Sequence, residues 1–354
     1  MELLTRLRRL RLWQACLIIG VAASLLYLLL LTLQYSGDGL RWYGIIAGDA
    51  PLELGGTARL LYPPLARLYF YLAHEVLGLP AGFALAQSMN ASFGGAGIAC
   101  FANVLFSFTK RWSLTLGGAA ALTCSFAYSI HATDMTEPMP GIFLSLLAIA
   151  FAATYVTRAT AHRWLVVAAG VSIGLAASIY QSNVLTLIVV GAILLLCDAV
   201  TPHNQRLANL VLFVAVAGAV ALGTYAISFL AIGNARTLMK AVAQSLRTEN
   251  EATQGIYAEL SLRRVGVLIF GLGDALFGLH AIGGKSTHFF SQGLTLEVAW
   301  KVGLVAWSVA AVALICAPYV IRRAKLSGMG QRIVAAGLIG LLPGLFLLVY
   351  WGAR

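Results

Sequence analysis

With 354 residues, 60% hydrophobic and only 10% charged, the chain has too little polar surface to clothe a water-soluble globule, in which roughly 25% of residues are charged. The net charge of +11 does not point to nucleic acid, because the basic residues fall in short clusters between apolar segments rather than along one face. Cys16, Cys100, Cys124, Cys197 and Cys316 all lie inside apolar stretches without CxxC or Cys/His spacing, so they read as packing residues and leave the redox compartment open.

The first apolar run, 13–34, follows Arg6, Arg8, Arg9 and Arg11. Its core is too long for a secretory signal and no convincing small-residue cleavage site follows, so a retained helix with a cytoplasmic N-terminus is expected. The next positive pair is Lys110 and Arg111, reached by a span over residues 85–108 that leaves 36–84 outside. Further spans fit residues 114–130, 142–156, 164–180, 184–197 and 207–232, with Arg158, Arg163 and Arg206 in inner loops. Gly170 and Gly174 in the fifth have the GxxxG spacing that lets helices approach closely.

Segment 233–301 is a second large outer region of mixed character, with Met239, Val242 and Leu246 on one helical face and Lys240, Gln244 and Arg247 on another. Its apolar stretch 265–284 carries Asp274 and His280, and either spans the membrane or lies half-buried. Runs at 302–320 and 333–351 complete the expected fold class: all-α, a polytopic helical membrane protein of about nine to ten spans with outer-face juxtamembrane helices. The whole chain, 1–354, forms one transmembrane domain.

On this threading nearly all the acidic residues lie on the outer side. The first outer loop, 36–84, is far longer than a connector requires. Asp38 stands just beyond the first span, where a partly desolvated carboxylate suits a general base, although a solvated loop aspartate or helix cap also fits. At Tyr62-Pro63-Pro64-Leu65 the prolines force a turn before a new helix over 65–79, expected to lie in the interface. Arg67, Tyr71, His74 and Glu75 form its polar stripe; Arg67 and His74 either meet a lipid phosphate or snorkel beside headgroups. In the second outer loop His131, Asp134 and Glu137 crowd about ten residues, open to a divalent metal or to helix capping. Tyr180-Gln181-Ser182-Asn183 makes a polar outer turn.

In this order the pieces resemble the GT-C superfamily of polytopic glycosyltransferases, especially the branch of protein O-mannosyltransferases and aminoarabinose lipid A transferases. The match rests on Asp38 and Tyr43 after the first span, Tyr62-Pro63-Pro64-Leu65 opening the aromatic run Tyr69-Phe70-Tyr71, and a small-residue span from Asn90 ending at Lys110-Arg111. Thr133-Asp134-Met135, then Gly174-Leu175-Ala176 leading to Tyr180-Gln181, continue it over roughly the first 185 residues. It departs at Tyr62, where the family often has His or Lys, and at Gln181, where the aminoarabinose branch usually has Lys.

The resemblance implies transfer of a sugar from a polyprenyl-phosphate donor to an acceptor at the outer face. Asp38 and Asp134 are then the catalytic candidates, and Tyr43, Arg67, His74, His131, Glu137 and Gln181 the substrate-binding ones. No cofactor is implied, with a divalent metal as the alternative. The expected setting is a bacterial inner membrane with the active face outward, and membrane-protein subunits are candidate partners. A non-catalytic subunit of GT-C-like fold is the rival reading; a transporter is disfavoured because no inverted repeat is evident.

Overall fold

The computed structural model describes residues 10–31, 37–48, 60–136, 138–158, 162–197 and 202–231. The expected elements beyond residue 232, with Asp274 and His280, lie outside the described residues, as do Asp49, Glu53 and Glu137. Within the described residues the protein is all helical. The elements are α1 (Leu12–Leu29), α2 (Gly37–Ala47), α3 (Tyr62–Tyr71), α4 (Phe83–Thr109), α5 (Trp112–Thr123), α6 (Phe126–Thr133), α7 (Pro138–Thr157), α8 (Trp164–Ile179), α9 (Thr186–Ala192) and α10 (His203–Ala231). Single π turns extend α3 over Leu72–Val76 and α9 over Ile193–Cys197, and a 3-10 turn, Gln181–Leu185, precedes α9.

Among the described residues four stretches, Leu12–Leu29, Phe83–Thr109, Pro138–Thr157 and Asn204–Ser228, are long and apolar enough to cross a membrane, and the α5–α6 pair makes a fifth if counted as one bent span. Helices satisfy every backbone group internally, as hydrocarbon demands. These apolar helices mark the chain as an integral membrane protein. Their outward faces agree: Leu17, Ile18, Val21 and Leu25 on α1, and Val211, Val214, Leu222 and Ile227 on α10, are exposed aliphatic side chains suited to lipid.

The helices pack through small residues. Cys16, Gly20, Ala23 and Tyr27 form the buried stripe of α1, and it meets the glycine-rich middle of α4. A Cβ on Gly95 would collide with the Ser24 side chain and the Gly20 carbonyl, so only glycine permits this approach. The Gly170/Gly174 pair does the same for α8 against α10. A Cβ on Gly170 would lie 2.9 Å from the Phe213 carbonyl oxygen, and one on Gly174 2.7 Å from that of Ala217. Between α7 and α10, the buried Asn209 Nδ2 donates to the Tyr155 hydroxyl at 2.7 Å.

The straight span expected over 114–130 is instead broken, with α5 and α6 meeting at 65°. At the break Thr123 Oγ1 donates to the Ala119 carbonyl and Ser125 Oγ to that of Leu122, both at 2.8 Å. The Thr123 carbonyl released at the break accepts the Tyr27 hydroxyl at 3.1 Å. Tyr128 of α6 then reaches α4, donating to the Gly94 carbonyl at 2.7 Å, over the space that Gly97 leaves by lacking a side chain.

The connections give the bundle two unlike ends. One carries the starts of α4 and α7, the end of α8 and the segment Asp134–Thr136. The other carries Arg11, Lys110, Arg111, Arg158 and Arg163, at the start of α1, the end of α4, the start of α5, the end of α7 and the start of α8. At that basic end Lys110 closes α4 in a left-handed conformation (φ 54°), and its ammonium lies 5.9 Å from the Phe106 ring.

Candidate functional site

The first long loop folds back onto the end opposite the basic one. Its first part is the helix α2, where the sequence reading expected loop. Trp42, Ile45 and Ile46 of α2 join Tyr62, Ala66 and Phe70 of α3 in one buried cluster, together with Met89 of α4, Met135 and Ile179. Trp42 and Tyr62 stack edge to face at 5.4 Å. The prolines sit in the first turn of α3, where a missing N–H costs nothing, so the helix starts at Tyr62, three residues earlier than expected. Just before it, the Leu61 N–H donates to the Ser178 carbonyl at 3.1 Å and ties α3 to the end of α8. The Tyr69 hydroxyl bonds Ser88 Oγ of α4 at 2.8 Å.

At the centre of this end lies Asp134, only 5% exposed. Its Oδ1 accepts the Met135 N–H at 2.7 Å. The segment carrying it is held by two side-chain amides of α4, one turn apart. Gln87 Nε2 donates to the Thr133 carbonyl at 3.1 Å; Asn90 Nδ2 donates to the carbonyls of Asp134 at 2.8 Å and Thr136 at 2.7 Å. Asn90 Oδ1 is buried with no hydrogen-bond partner. His131 closes the segment from the other side, its Nδ1 3.0 Å from Thr136 Oγ1. An irregular stretch between two helices is thereby fixed as firmly as a helix end, with its carboxylate at the helix-bundle terminus.

The other expected site residues distribute around this centre. Tyr43 is half-buried in α2, packing on Phe70 at 6.2 Å and Phe83 at 5.4 Å. Asp38 is the second residue of α2 and Gln181 opens the 3-10 turn, each described by its backbone. Arg67 is half-buried on α3, its Nη2 3.7 Å from where a Cβ on Gly48 would stand, beside the end of α2. His74 is occupied locally. Its Nδ1 lies 2.8 Å from the Leu79 carbonyl, within donating distance, and its Nε2 3.8 Å from the Glu75 carboxylate. Asn183 Nδ2 donates to the Ala176 carbonyl at 3.2 Å and fixes the turn that follows α8.

No protein-family model matches the chain, and no curated protein matches it.

Gln87 and Asn90 are the site residues that sequence reading missed. Their i, i+3 spacing on an apolar helix is a visible signal that two amides share a face. What they hold is 44 and 46 residues away, which no local pattern discloses. Among the described residues no three His, Cys, Asp or Glu side chains gather as metal ligands would. Beside the site an apolar groove of about 410 Å³ opens between Leu65 and Leu68 of α3, Phe93 of α4, Leu144 of α7 and Leu175 of α8.

Proposed function

We propose that the chain is a membrane glycosyltransferase that moves a sugar from a polyprenyl-phosphate donor to an acceptor at the outer face. The observation that carries this reading is the convergence at one end of the bundle of Asp134-Met135, the α2 cluster with Tyr43, and the Pro-Pro start of α3, the elements on which the GT-C resemblance rests. A buried carboxylate at the end of a membrane bundle is expensive, and such residues are functional candidates by default. The apolar groove opens beside the same end and suits an isoprenoid chain.

In the proposed reaction Asp38 takes the proton of the acceptor hydroxyl, whose oxygen attacks the anomeric carbon. The carbon–oxygen bond to phosphate breaks in the same displacement, and polyprenyl phosphate leaves with the electron pair, inverting the configuration. Asp134 orients the acceptor or supports the base. Arg67 is the cation proposed to face the phosphate, with His74 proposed as a further binding residue. The proposed threading has about nine spans, a cytoplasmic N-terminus and this end outward, in a bacterial inner membrane.

The test follows release of polyprenyl phosphate from labelled donors by the full chain in vesicles. Asp38→Asn lowers transfer by roughly 10²-fold or more, Asp134→Asn also impairs it, and Glu53→Gln is nearly silent. Full activity in Asp38→Asn removes it as the base. Absence of turnover with every polyprenyl-linked sugar defeats the enzymatic reading and leaves a non-catalytic subunit.

A further inference from the structure

At the basic end, away from the proposed reaction site, a groove of about 590 Å³ opens between α1, α4, α7 and the start of α8. That volume is within the range of ligand-binding cavities. Its polarity is graded along the helices. Arg158, exposed just after α7, stands at the mouth. Thr154 lies four residues deeper, and Asn103 six residues inside the end of α4, about 6 and 9 Å at the helical rise. Beyond them the walls are apolar, with Leu17, Cys100 and Leu147.

Trp13 and Trp164 flank the groove with 61% and 58% of their surfaces exposed, the placement of indoles at a membrane interface. Phe151 packs edge to face on Trp164 at 6.1 Å. Arg11 and Arg163 immediately precede Leu12 and Trp164, which line the groove, and no carboxylate stands among the described residues at this end.

Charge at the mouth, hydrogen-bonding groups below it and hydrocarbon below those match the phosphate, ester and acyl levels of one kind of molecule. We propose that this groove is a binding site for an anionic phospholipid, its phosphate at Arg158 and an acyl chain along α1 and α4. Asn103 meets the ester level, where its amide has a polar partner instead of hydrocarbon.

Native mass spectrometry of the purified full chain, titrated with phosphatidylglycerol or phosphatidylcholine, tests the site. The expected result is a retained phosphatidylglycerol that phosphatidylcholine does not replace at equal concentration. Arg158→Gln should weaken it about fivefold, whereas Arg158→Lys retains most of the binding. Asn103→Leu, which changes no charge, should also weaken retention while leaving helicity and elution unchanged. Equal retention of the two lipids, or undiminished phosphatidylglycerol binding by both Arg158→Gln and Asn103→Leu, overturns the proposal.

Discussion

Asn90 offers the sharpest test of how the Asp134 segment is held. Asn90→Leu keeps the bulk but removes the donor to two carbonyls, those of Asp134 and Thr136. Each acceptor left unsatisfied costs about 1–3 kcal/mol, and loss of the orphaned Oδ1 returns a similar amount once, for a net loss of about 1–3 kcal/mol. Asn90→Asp has nearly the same shape but sets an oxygen against both carbonyls and brings a buried charge without a counterion. That costs about 3–5 kcal/mol. At about 2–4 °C per kcal/mol, unfolding shifts down by roughly 2–12 °C for leucine and 6–20 °C for aspartate. A thiol-reactive dye reads this directly, because Cys16 and Cys197 are buried until the protein unfolds; Cys100, Cys124 and Cys316 are replaced by Ser in the background. Were Asn90→Asp as stable as the parent, or more stable than Asn90→Leu, the amide would not be holding the segment through its donor.

Gly174→Ala pushes a methyl against the Ala217 carbonyl and Val220 Cβ, both 2.7 Å away, and should cost about 1–3 kcal/mol. Gly218→Ala, with open space around its Cβ, should be neutral or raise the unfolding temperature slightly in the same assay. Tyr155→Phe and Asn209→Leu remove opposite halves of the α7–α10 hydrogen bond, so a double-mutant cycle should give a coupling of about 0.6–1.7 kcal/mol. For the proposed threading, single cysteines at Lys110 and Arg163 should react with an impermeant reagent from one side of sealed vesicles, and one at Ala81 from the other. Labelling of Lys110→Cys and Ala81→Cys from the same side defeats it.

The helices themselves were legible because hydrocarbon removes the alternatives: an apolar run of sufficient length must satisfy its backbone internally. The runs expected at 13–34, 85–108, 142–156, 164–180 and 207–232 accordingly overlap α1, α4, α7, α8 and α10 closely. The Pro-Pro element was legible as the place where a helix begins, although α3 takes both prolines into its first turn instead of starting after them. Tertiary structure decided the rest. At the break at Cys124–Ser125 the Thr123 carbonyl accepts the hydroxyl of Tyr27 from another helix, 96 residues away. Asp134 stands in an acidic loop by sequence, yet it is buried, because Gln87 and Asn90 draw its segment onto α4 and Met135 joins the α2–α3 cluster. Hydropathy sums over neighbours in the chain. Burial of one carboxylate and the partner of one amide are set by residues that meet only after the helices have packed.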